Sequence, residues 1–378
     1  MSKKPSVIDV LRRFLPLFLA DKPALSEAQW RAIRAIRNCR TPAMGGHVYA
    51  CRDCEETQFA WHSCNHKACP QCGRAATAQW VERQLAKLTG AAYFMVTFTL
   101  PQELRELFFG IHAKEAFDLF FAATSRALAQ TLANPQWLGA TVSGFTAALH
   151  TWNQQLLFHP HIHFIVPGAG LDANGNLRLV PHASFLIPHN VIRAAFKQAF
   201  HQELEKRKWE VDPAVWTKDW GVDLQAVGAG EATVKYLGAY VARTAIADSR
   251  LVSFDDQSVT FQWKDRDNGD RMMTSTIPGI EFVKRYLRHV LPPKMHSVRH
   301  YGFCHPAAKR KRERVRFLTG MPLLIQSPES EQAAKEREED AAKPGYPCPC
   351  CGHEMKRVAT YKPGRNFDPD DWAPIDDS

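Results

Sequence analysis

The stretch His159-Pro160-His161-Ile162-His163-Phe164-Ile165-Val166 packs three imidazoles and four large apolar side chains into eight residues. Its β-branched and aromatic content marks His161 to Val166 as a strand. Residues two apart in a strand share a face, so His161 and His163 present two imidazoles side by side. Two nitrogens at that spacing can chelate one divalent cation. The apolar neighbours put the strand in the buried middle of a sheet, where paired imidazoles need a chemical reason. Thr141 to Trp152 reads as the preceding strand. If it returns tightly over Leu157-Phe158, Gln154 lies opposite His161 and its amide oxygen is the third ligand, with His150 as the alternative.

Outward from this pair the pattern is mixed. Tyr93 to Leu100 is a strand stopped by Pro101, and Val222 to Val227 is another. Glu103 to Leu132, Val191 to Lys208 and Glu231 to Ala245 are helical, the last begun through Gly228-Ala229-Gly230. Asp267-Asn268-Gly269 between Val259–Trp263 and Met272–Ile277 is a hairpin signal. Strands and helices do not alternate strictly, which predicts an α+β fold: a mainly antiparallel sheet flanked by helices. On the third helix Tyr236 and Tyr240 stand four apart and share a face. A phenol beside a cation is equipment for cutting a phosphodiester covalently. Because a free phenol titrates near about 10, it needs help from the cation's field or from Lys235 and Arg243.

The ten cysteines fall near the two ends, with Cys304 alone between. Cys51-x2-Cys54 and Cys69-x2-Cys72 have zinc-ribbon spacing and predict one structural, four-thiolate Zn²⁺ site. His47, His62, Cys64 and His66 lie close enough to substitute for a ligand or to hold a second zinc. Cys348 and Cys351 form half of a further site, which His353, Cys350, Cys304 or His305 would have to complete. Three segments follow: residues 1–90 with an N-terminal helix and zinc-binding domain, 91–300 as the core, and 301–378 as basic segment, charged linker and cysteine-containing tail.

At 378 residues, 45% hydrophobic and 23% charged, the chain is neither disordered throughout nor fibrous. No run approaches the ~18 apolar residues of a membrane span, and Met1 to Ala20 reads as an amphipathic helix in a cytoplasmic protein. The net charge of +9 is concentrated: Glu281 to Arg316 holds eleven Lys and Arg against two Glu. Lys309-Arg310-Lys311-Arg312 is its densest run and a candidate DNA-binding surface. Nothing in the sequence fixes an oligomeric state or calls for a small-molecule substrate.

Cys51-x2-Cys54…Cys69-Pro70-x-Cys72, Tyr93-x4-Phe98-Thr99-Leu100-Pro101, His161-Ile162-His163, Tyr236-x3-Tyr240 and Arg299-His300-Tyr301-Gly302 occur in that order. The set resembles the two-tyrosine HUH transposases of rolling-circle insertion sequences, the IS-ninety-one family, from about Gln29 to Tyr301. The resemblance implies an HUH nuclease core behind a zinc-binding domain. It further implies Mg²⁺ or Mn²⁺ on His161 and His163, and nicking of single-stranded element ends through 5′-phosphotyrosine links to Tyr236 and Tyr240. A rolling-circle replication initiator or relaxase would use the same chemistry. A zinc-dependent DNA-binding regulator would have no use for the paired tyrosines.

Overall fold

This computed structural model describes residues 4–72, 74–241, 245–265, 268–322 and 346–362, with the backbone alone at 74–77, 236, 237 and 239–241. The chain divides into two compact units, residues 1–30 with 74–323, and residues 31–73 with 324–378. The cysteine-bearing parts from near both termini thus belong to one unit, rather than to a module ending near residue 90 and a tail starting at 301.

The larger unit is built on a five-stranded sheet in the order Val298–Gly302, Gly144–Trp152, Phe158–Pro167, Tyr93–Thr99, Gly221–Ala226, every neighbouring pair antiparallel. The α+β expectation holds. Side chains alternate across it. Phe94, Val96, Phe98, Ile162, Phe164 and Val166 face one way, into the main core, where the helices Ala113–Ala133 and His189–Arg207 cover them. Phe98 meets Phe164 and Phe196 edge-on at ring separations of 5.5 and 5.0 Å. Each such buried side chain contributes about 1.5–3 kcal/mol, so this face fixes which residues must occupy the other. The opposite face carries Thr97, His150, His161 and His163. Towards its Tyr93 end it is covered by Leu88 and by Val234 of the helix Glu231–Val241.

The edge strand Val298–Gly302 is pinned by its own polar residues. Arg299 pairs with Asp118 and lies 4.0 Å over the Phe121 ring, and His300 Nδ1 lies 2.9 Å from Thr146 Oγ1. The expected helix from Glu103 to Leu132 is interrupted. Gln102–Phe108 is a 3₁₀ stretch, and the α-helix starts only at Ala113, because Gly110 takes φ +73° and turns the chain between them. The hairpin strands Ser258–Asp265 and Arg271–Pro278 match the sequence expectation, with residues 266 and 267 of the turn outside the described residues. Among the described residues no helix is long and apolar enough to cross a membrane.

The smaller unit contains a four-stranded sheet in the order Tyr346–Pro347, Glu354–Tyr361, Gly46–Ala50, Thr57–Trp61. Strands from opposite ends of the chain therefore pair in its centre, from Gly46 opposite Tyr361 to Ala50 opposite Lys356.

Candidate metal centre and cysteine clusters

Strand register assembles the histidine cluster. Thr97, His163 and Ala148 form one row across three strands, and Thr99, His161 and His150 form the next. The imidazole centroids are 4.8 Å apart for His161 and His163, 4.7 Å for His150 and His163, and 5.3 Å for His150 and His161. One nitrogen of each ring lies within 4.8 Å of the others.

Gln154, expected opposite His161, is not there. A bulge between His150 and Trp152 shifts the register, and the chain turns through Asn153–Leu157 instead of tightly over Leu157-Phe158. Asn153 Oδ1 accepts the backbone N–H groups of Gln155 and Leu157, both at 2.9 Å, and Leu156 takes φ +63°. Gln154 is carried into that turn, where its carbonyl accepts from Arg250. The third donor in reach is His150, the alternative weighed from the sequence.

The surroundings prepare these rings for a cation. His161 Nδ1 lies 2.8 Å from the His159 carbonyl. A carbonyl only accepts, so Nδ1 carries the proton and Nε2 keeps its lone pair. His163 Nδ1 lies 2.8 Å from Thr97 Oγ1, a hydroxyl that can accept from it and so hold the ring in place. Burial pushes His150 well below the usual histidine range, with the neighbouring His163 and His161 adding to it, so His150 stays a neutral donor. Nearby His159 is pushed down to about 4 by burial and by Arg105, whose guanidinium donates to its Nδ1 at 2.8 Å.

The three imidazoles open onto a cleft of about 1180 Å³. Its walls include Trp152, Arg250, Trp263 and Lys264, together with Ala232 and Thr233 at the start of the helix Glu231–Val241. Tyr236 and Tyr240 are on that helix, and their side chains lie outside the described residues.

The basic run falls at the start of the helix Lys309–Leu318. Lys309, Arg310 and Lys311 are exposed. Arg312 is not: it is only 7% exposed and donates to the His305 carbonyl at 3.4 Å. Helical periodicity puts Arg312, Val315 and Arg316 on one inward face, so the fourth cation of the run belongs to the packing, not to a surface.

The four cysteines read as one zinc site are divided between two clusters. Cys69 and Cys72 join Cys39 and Cys64, whereas Cys51 and Cys54 join Cys348 and Cys351. The physical reason is the strand Gly46–Ala50, which pairs with Glu354–Tyr361 and brings the distant Cys348–Cys351 turn against the Cys51–Cys54 turn. Cys39 carries no knuckle spacing, with no second cysteine two or three residues away, and it follows the helix Glu27–Asn38 directly. Thr97 was equally silent until the register was known.

A sheet carrying three clustered histidines, in a chain whose smaller unit bears two four-cysteine clusters, defines a protein with side chains grouped to hold metal ions. Comparison with known proteins narrows that class. A family model described as "Putative transposase" matches residues 144–313, and one described as "Transposase zinc-binding domain" matches residues 10–100. The putative transposase y4qJ of Sinorhizobium fredii is 36% identical over 373 residues, 92% of this chain and 93% of that protein. The transposase for insertion sequence element IS801 of Pseudomonas savastanoi pv. phaseolicola is 25% identical over 310 residues, 75% of this chain and 72% of that one. Among solved structures, TrwC complexed with a 27-mer DNA overlaps 65% of this chain and 72% of its own at 12% identity and a TM-score of 0.26, a loose overlap. The chain belongs to the IS-ninety-one transposase family.

Proposed function

We propose that this transposase nicks one DNA strand at an element end, using Tyr236 and Tyr240 as nucleophiles beside a cation held by His150, His161 and His163. The observation that carries the reading is the cleft shared by the histidines and the tyrosine helix. At about 100° per residue, positions 236 and 240 fall near 40° and 80° from Ala232, inside the arc between Ala232 and Thr233. Both of those residues line the cleft. Val234 and Gly238 fall on the opposite side, Val234 packing with Leu88, Tyr93 and Ile165, and Gly238 lying against Val81. The helix therefore has one packed face and one face towards the cleft, and helical spacing supports the second for positions 236 and 240.

Three imidazole donors suit Mn²⁺ better than Mg²⁺, which prefers oxygen donors and keeps its waters. When bound, such a cation would polarise the scissile phosphodiester. A phenol oxygen forms the new bond to phosphorus, the bond from phosphorus to the 3′ oxygen breaks, and the phenol's proton leaves as the 3′ oxygen gains one. The 5′ side stays on the protein as phosphotyrosine, so rejoining to another strand needs no further energy source. Two tyrosines permit two successive cleavages. Attack at an exposed phosphate favours single-stranded ends as the substrate, and Lys309, Arg310 and Lys311 would hold backbone phosphates nearby. The site of action is the cytoplasm, where the DNA lies.

The test is a denaturing gel of the protein mixed with labelled single-stranded element ends and Mn²⁺. Wild type should give a labelled covalent adduct whose mapped peptide contains Tyr236 or Tyr240. The Tyr236→Phe/Tyr240→Phe variant should bind DNA yet form none. An adduct persisting in that variant would overturn the reading.

A further inference from the structure

We propose that Cys51, Cys54, Cys348 and Cys351 bind a Zn²⁺ of their own, distinct from the one suited to Cys39, Cys64, Cys69 and Cys72, and that this second zinc clasps the C-terminal hairpin onto the N-terminal one. Sulfurs about 2.3 Å from a central zinc stand about 3.8 Å apart at the corners of a tetrahedron. In this cluster Cys51 and Cys351 Sγ are 3.5 Å apart, Cys54 and Cys348 3.4 Å, and Cys54 and Cys351 3.5 Å. A disulfide would need about 2.05 Å, and all four thiols are free. The spacing is that of thiolates gathered round one ion. In the other cluster Cys39–Cys72 and Cys64–Cys72 are 3.6 and 3.7 Å, so the two sets are alike.

Both turns are shaped to aim their sulfurs. Cys348 N–H donates to the His353 carbonyl at 2.8 Å and Gly352 N–H to the Cys348 carbonyl at 2.9 Å, with Gly352 at φ +80° closing the knuckle. Across from it, Cys51 N–H donates to the Glu56 carbonyl at 2.9 Å. Cys350 is exposed and outside the set. The apolar core beneath is small, Cys51, Cys348 and Met355 with Tyr49 and Cys54 around them, too little to hold the hairpins by burial alone. Metal is the means by which such a small unit is normally held. The matched zinc-binding segment ends at residue 100, and the transposase match ends at 313. Half of this site therefore lies beyond both.

The experiment counts zinc in the full-length chain, purified under reductant and carrying His161→Ala and His163→Ala so that only cysteines retain metal. Native mass spectrometry should find two zinc ions per chain. Adding Cys348→Ser and Cys351→Ser should reduce the count to one. In the same variant, hydrogen exchange should lose protection at residues 354–361 while residues 158–167 keep theirs. A count of one before the cysteine changes, two retained after them, or a mapped Cys54–Cys348 disulfide would each overturn the clasp. Because the first count uses intact cysteines, it decides the matter even if the serine variant fails to fold.

Discussion

Replacing Thr97 with valine removes one hydroxyl from the histidine face and leaves the strand's shape intact. That hydroxyl lies 2.8 Å from His163 Nδ1 and holds the ring in its tilt on the sheet face. Loss of such an outer partner typically weakens metal binding 10–100-fold, or about 1.4–2.7 kcal/mol. The cost to the fold is smaller, about 1 kcal/mol for one hydrogen bond. A domain stable by about 5–15 kcal/mol survives that. Thr97→Val should therefore remain folded, bind Mn²⁺ 10–100-fold more weakly by calorimetry, and recover nicking when Mn²⁺ is raised by the same factor. Unchanged Mn²⁺ affinity would refute the role given to Thr97. So would a rate defect that persists at saturating Mn²⁺, because it would place the damage in the chemistry itself.

Two other perturbations follow from the same packing. His289, between the Leu156 carbonyl and Thr151, is pushed down to about 4, by burial and by Arg288 against the opposing pull of Leu156. An unfolded histidine takes a proton near 6.5, so its contribution is present above pH 6.5 and is lost as pH falls towards 4, at most about 3 kcal/mol. Urea titrations between pH 7 and 4.5 should show stability falling with pH, less steeply in His289→Gln; an identical slope would exclude His289 as a source. On the basic helix, Lys309→Gln, Arg310→Gln and Lys311→Gln together should lower the salt slope of single-strand binding by about 2. Arg312→Gln should instead lower thermal stability, since Arg312 is packed inward; a folded Arg312→Gln protein with a reduced salt slope would contradict that placement.

The legible parts of the chain were those whose physics is local. The alternation through His161-Ile162-His163-Phe164 made the strand and its two faces readable, and the Tyr236 to Tyr240 spacing needed only a helix. The third histidine was harder, because a bulge beside His150 and the Asn153 hydrogen bonds, not the apolar pattern, set which residue faces His161. Likewise, two x2 knuckles within one stretch look like partners, and nothing near Cys51 signals that Cys348 will meet it. Arg312 shows the same limit: four cations in a row look like one surface until the helix turns the fourth inward.

The order in which the thiols leave the ribosome sets a schedule for the cysteine unit. Cys39, Cys64, Cys69 and Cys72 emerge within 33 residues of one another, whereas Cys54 and Cys348 are 294 residues apart. At about 5–20 residues per second, the Cys51–Cys54 turn waits about 15–60 s for its partners. Its strand Gly46–Ala50 stays unpaired on one edge for the same interval. During synthesis one cluster can close at once, while the other depends on completion of nearly the whole chain between its halves.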